Sequence, residues 1–222
     1  MSGFTAPHCG SIRATDVGRE LELYGWVARR RDHGGLIFID LRDRWGAVQV
    51  VFNPANAPAA HAAASELRAE YVVRVKGLVG RRPAGSENPR MATGEVEVTA
   101  SELEVVNASE TTPFPIEDQE DPDEKLRLEY RYLDLRRPRM TRMLELRSRV
   151  NKIIRDYMDR QEFIEVETPI LTRSSPSGAR DFLVPSRLQP GSFYALPQAP
   201  QMLKQLLMVS GVQRYYLSLI HI

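Results

Sequence analysis

Between residues 21 and 106, apolar side chains recur at every second position or in short solid runs, and that period belongs to strands rather than helices. Five stretches carry it: 21–27, 36–41, 47–52, 71–75, and 95–98 running on toward Val105. Residues 59–70 lie between the third and fourth stretches, are rich in alanine and contain no breaker after Pro58, which predicts a helix. Three strands, a helix and two more strands is the order of the OB-fold, a small, partly open barrel whose sheet face takes single-stranded nucleic acid or sugars. An SH3-like barrel is the plain competitor, and a helix after the third strand argues against it.

Beyond the barrel the pattern changes twice. Residues 108–129 hold Pro113, Pro115 and Pro122 among the acids Glu110, Glu117, Asp118, Glu120, Asp121, Asp123 and Glu124, and read as a solvated acidic hinge rather than a metal site. A helical period then runs through Met143, Leu146, Val150, Ile153, Ile154, Tyr157 and Met158, predicting a helix of about 20 residues with one face to bury. Residues 163–171 alternate as a strand, with Pro169 marking its end or an edge. Residues 178–187 lead through a loop into a strand, 193–196 form a short strand, and 200–209 form a helix stopped near Gly211. The expected division is a barrel over 1–107, a hinge over 108–129, a second domain over 130–216 and a tail over 217–222.

Charge narrows the function classes. Lys and Arg total 30 against 29 Asp and Glu, so any contact with RNA comes from a local patch and not from a basic coat. Cys9 is the single cysteine, too few for a disulfide or a structural zinc site, which fits a reducing compartment. With no basic leader and no long apolar run, the expected location is the cytoplasm, with no membrane partner. Walker, Rossmann, His-Glu-x-x-His and nucleophile-elbow patterns are all missing, so phosphate chemistry would need another scaffold.

The run from Trp26 to Arg44 resembles the anticodon-binding barrel of class IIb aminoacyl-tRNA synthetases. More specific are Tyr130-Arg131-Tyr132-Leu133-Asp134-Leu135-Arg136, Phe163-Ile164-Glu165-Val166-Glu167-Thr168-Pro169, Gly178-Ala179-Arg180-Asp181-Phe182-Leu183-Val184-Pro185, and Phe193-Tyr194-Ala195-Leu196-Pro197-Gln198 with Lys204-Gln205-Leu206-Leu207-Met208. These four ordered blocks resemble the bacterial aspartyl-tRNA synthetase family. The resemblance implies an α+β protein: an OB-fold barrel followed by the start of a class II antiparallel-sheet catalytic domain. It implies that Phe38 stacks on an anticodon base, that Gln49 and Glu97 read base edges, and that Arg29 and Arg31 hold bases or backbone. On composition alone, Phe38 could be core and Arg30 a solvated charge.

The resemblance further implies that the long helix and the strand at Pro169 are motif 1, which builds a homodimer interface. L-aspartate would be held by Ser177 in a closing loop and by Gln201, Met202, Leu203 and Lys204 at the last helix. Ser177 stands where the family has a glutamate, and Met202 where an aromatic residue is usual. His33 and Gly85 match family members that accept both tRNA(Asp) and tRNA(Asn). ATP and Mg²⁺ would be co-substrate and ion of the complete enzyme, with none expected on this stretch, since the arginine-bearing motifs 2 and 3 are not in it and no catalytic residue is assigned. The expectation is a truncated aspartate ligase with no DNA partner; the rival is a non-catalytic tRNA-binding module.

Overall fold

The computed structural model describes residues 7–119, 121–174, 181–196 and 200–217. Strands β1 (Glu20–His33), β2 (Leu36–Asp43), β3 (Gly46–Phe52), β4 (Val72–Arg81) and β5 (Val96–Asn107) close into a barrel in the order β1-β2-β3-β5-β4. A parallel pairing of β3 with β5 shuts the ring, at Gln49 with Glu97, Val50 with Val98 and Val51 with Thr99. The barrel is therefore closed where a partly open one is expected. Alternation sorts the side chains: Ile37, Ile39 and Leu41 are fully buried, while Phe38, Asp40 and Arg42 of the same strand are half-buried on the outer face. The core continues through Leu23, Val48, Val50, Phe52, Val73, Val75 and Val98, each contributing about 1.5–3 kcal/mol of burial.

Helix α1 (Pro58–Ser65) starts on a proline and buries Ala60 and Ala64 in that same core. It stops five residues short of the expected end. Glu70 adopts a left-handed φ of 65°, its amide donates to the Val27 carbonyl at 2.8 Å, and its carboxylate is 5% exposed between two arginines. Those long-range bonds outbid a continuing alanine-rich helix.

The chain divides into two compact units, Met1–Met143 and Leu144–Ile222. The first includes much more than the barrel. The described acids of the expected hinge are exposed, as expected of a solvated stretch, but its apolar residues are not: Phe114 and Ile116 are buried with Leu133, and Leu126 and Tyr130 cover them. Short helices α2 (Glu124–Glu129) and α3 (Arg131–Asp134) frame this second core, and helix α4 (Pro138–Arg160) begins after it. Two acids of the segment meet arginines, Asp118 with Arg142 at 3.1 Å and Asp121 with Arg127 and Arg137 at 3.3 Å each.

In the second unit, β7 (Phe182–Pro185) pairs antiparallel with β8 (Phe193–Leu196), and helix α5 (Gln201–Val209) follows. Of the expected strand over 163–171 only β6 (Ile164–Glu165) is paired, and it runs parallel to β9 (Tyr215–Tyr216). The sheet pieces described for this unit therefore include one parallel ladder beside the expected antiparallel one. Leu217 is buried, so packing reaches one residue into the expected tail, whose remaining positions lie outside the described residues.

Candidate nucleic-acid interface

The outer face of β1, β2, β3 and β5 gathers the residues that sequence singled out. Leu21, Leu23 and Val27 of β1 point inward, and continued alternation would bury Arg29 and Arg31 as well. A one-residue bulge at Ala28 prevents this: Val27 pairs with Leu41, then Arg29 with Asp40 and Arg31 with Phe38. The phase change turns both arginines to the outer face, beside Phe38.

Across that face the side chains are linked. The Arg31 guanidinium donates to Asp40 at 2.7 Å and to the Gln49 side-chain carbonyl at 3.4 Å; the Gln49 amide donates to Glu97 at 2.9 Å. Register explains the chain, because Asp40 lies opposite Gln49 and Gln49 opposite Glu97. Each group keeps unused bonding capacity: the Glu97 carboxylate accepts further N–H groups, and Arg31 donates further to carbonyl or phosphate oxygen. Such prealigned polar groups around an aromatic ring suit a base unstacked from its neighbours.

Two members of the face were missed by sequence reasoning. Asp40 anchors Arg31 and shares the face of Phe38, two residues away, so alternation along β2 could have placed it. Arg82 is 7% exposed and donates from Nε to the Val96 carbonyl at 3.1 Å. Burial pulls its pKa down, while the charges of Glu97 and Asp40 counter that shift. Nothing local in its loop marks it as buried.

Other expected residues are placed differently. His33 ends β1 opposite Leu36, with Gly34 and Gly35 at φ 61° and 78° supplying the turn. Gly85 lies in the loop from β4 to β5 at φ 84°, exposed, with nothing within 4 Å of where a Cβ would stand. Arg30 is not a solvated charge: its Nε donates to the Ala64 carbonyl at 3.1 Å, at the C-terminal end of α1 where a cation is favoured. Arg42 is committed to Glu70, and the Arg44 guanidinium lies 5.6 Å from the Trp45 ring centroid. The outside of β1, β4 and β5 differs in charge, since Arg74 meets Glu22 and Glu104, and Lys76 meets Glu20.

In the second unit, Gln201 and Lys204 occupy the first turn of α5 three residues apart, Lys204 half-buried and Gln201 exposed, with Met202 exposed and Leu203 half-buried between them. The Tyr215 hydroxyl donates to the Lys204 carbonyl at 3.0 Å, joining α5 to β9. Ser177 lies outside the described residues. Among the described residues no cluster of three or more metal-ligating side chains occurs, and no helix is long and apolar enough to cross a membrane.

A barrel with this face, followed by a domain with these elements, defines a class. A family model for an OB-fold nucleic acid binding domain matches residues 21–106, and one for class II tRNA synthetases (D, K and N) matches residues 123–218. A crystal structure of asparaginyl-tRNA synthetase from Pyrococcus horikoshii, complexed with asparaginyl-adenylate, superposes with a TM-score of 0.79 at 25% identity, covering 96% of this chain and 47% of that one. Within that class, the chain is similar to aspartate–tRNA(Asp/Asn) ligases. The aspartate–tRNA(Asp/Asn) ligase of Moorella thermoacetica is 60% identical over 217 residues, 97% of this chain and 36% of the relative. Its counterpart in Syntrophotalea carbinolica is 61% identical over 208 residues, 94% of this chain and 35% of the relative. The chain thus spans about a third of the length of the relatives it matches.

Proposed function

We propose that the complete protein joins L-aspartate to tRNA, and that this barrel binds the anticodon loop. The observation that carries the reading is the outer face itself: Phe38 beside the bonded series Asp40, Arg31, Gln49 and Glu97. Phe38 offers a stacking surface, Gln49 and Glu97 offer acceptors and donors to base edges, and Arg29 and Arg31 offer cations to the backbone. Asp40 holds Arg31 in place, and Arg82 adds a buried positive charge near Glu97 and Asp40. Because Arg31 is held by two partners before RNA arrives, little side-chain freedom is lost on binding.

Aspartate is assigned to Ser177 and to Gln201, Met202, Leu203 and Lys204, with the Lys204 ammonium facing the substrate's side-chain carboxylate. ATP, with Mg²⁺, supplies the phosphoanhydride that activates the amino acid; no step is assigned to the described residues, which offer no cluster for the ion. The α4 segment would form a homodimer interface, and the cytoplasm is the location consistent with these partners. His33 and Gly85 support acceptance of both tRNA(Asp) and tRNA(Asn), since neither presents a bulky apolar or long cationic side chain beside the third anticodon base. Titrating a labelled aspartate-type anticodon stem-loop with the chain tests the reading: salt-sensitive binding is expected, and none at low salt would refute it.

A further inference from the structure

We propose that Glu70 is a positioning residue that latches residues 114–137 onto the barrel, so that the barrel and the start of α4 form one rigid body. The carboxylate sits at a seam. From the barrel side Arg42 grips it with both contacts from one nitrogen, at 2.7 and 2.8 Å; from the other side Arg136, just before α4, reaches it at 3.4 Å. Arg136 also lies over the Trp26 ring of β1, 4.5 Å from its centroid, a cation–π contact that fixes its plane. Arg42 completes the closure by donating to the Ile116 carbonyl at 3.3 Å. Three contacts thus join β1, β2 and Glu70, five residues past the end of α1, to both ends of the packed segment.

The backbone at Glu70 shows how strongly this site is specified. Its left-handed φ of 65° is a conformation that side chains bearing a Cβ rarely take, and it persists only where the surroundings over-determine it. A buried acid shared by two cations is also seldom the most stabilising filling for a seam, and its value lies in fixing one arrangement over others. Arg42 pairs with Trp26 across β1 and β2 and stands two residues from Asp40 on the same outer face. The latch therefore abuts the strip that carries Phe38, and holds the start of α4 at a fixed attitude to it. That last consequence rests on the proposed anticodon function; the latch itself does not.

Two variants test it in the full chain, with Trp45→Phe leaving Trp26 as the single indole. Glu70→Gln removes the shared charge but strands a buried Arg42; Arg136→Met leaves the Arg42–Glu70 pair intact and keeps the fold accessible. In both, amide exchange across 114–137 should quicken at least tenfold while Val48, Val50 and Val98 stay protected, and acrylamide should quench Trp26 more strongly. Unchanged exchange and quenching in Arg136→Met would overturn the proposal. Stem-loop affinity in Arg136→Met should stay within twofold of the parent. A tenfold loss would make Arg136 an RNA contact and overturn its positioning role. If the parent chain bound no stem-loop but showed the exchange result, the anticodon reading would fall while the latch stood.

Discussion

Phe38 has two neighbours that decide what it can do. Arg31 lies opposite it on β1, and Asp40, two residues along the same face, holds that arginine at 2.7 Å, so the ring stands beside an ordered cation. Stacking contributes about 1–3 kcal/mol per base, so Phe38→Ala should weaken stem-loop binding by about tenfold or more, read by fluorescence anisotropy. Unchanged affinity would return Phe38 to a purely packing role. Gly85 poses a different problem, because its φ of 84° is left-handed while the space around it is empty. Gly85→Lys should therefore lower stability by about 1–2 kcal/mol through backbone strain alone, seen as a lower melting temperature. Combined with His33→Leu, it should introduce a preference between stem-loops that differ at the third anticodon base. Cys9 stays outside this chemistry: burial, reinforced by Asp43, pushes its thiol pKa far up, so alkylating reagents should label it only after unfolding.

Among the elements, the segment before α4 depends most on charge. Asp134 is fully buried; burial alone would raise its pKa, but hydrogen bonds from Arg127 and Arg137 and the charge of Arg131 hold it below the ordinary carboxylate value. A depressed native pKa adds stability that is complete above the unfolded value and lost as pH falls through the native one. Exchange protection of α2 and α3 should therefore be level at neutral pH and decline below about pH 4, and Asp134→Asn should remove most of that decline. The strands were legible in sequence because Ile37, Ile39 and Leu41 alternate with Phe38, Asp40 and Arg42, a local signal with a local cause. The end of α1 was not, because Glu70 answers to Arg42 and Arg136, 28 and 66 residues away. Burial of Phe114 and Ile116 was hidden in the same way, their partner Leu133 lying beyond a proline-rich acidic stretch that resembles a linker. In the proposed interface, Phe38, Gln49 and Glu97 were named through the family resemblance, and strand register sets Gln49 opposite Glu97, whereas the burial of Arg82 depends on the Val96 carbonyl, 14 residues away.

At the scale of the whole molecule, α4 carries exposed Met143, Leu144, Leu146, Val150, Ile153, Ile154 and Tyr157, with exposures from 40% to 64%. A row of that size on one helix invites a partner. The chain should associate with rising concentration in sedimentation velocity, and Leu146→Glu with Ile153→Glu should weaken that association without changing the barrel's stem-loop affinity. Those two behaviours separate assembly from recognition, and recognition is the central claim. Its most direct measurement is the affinity of the unmodified chain for two anticodon stem-loops, aspartate-type and asparagine-type, differing only at the third anticodon base, at low and at high salt. Both should bind, with affinities within tenfold of each other and both weakened by salt; binding to neither, or a preference beyond tenfold, about 1.4 kcal/mol, would contradict it.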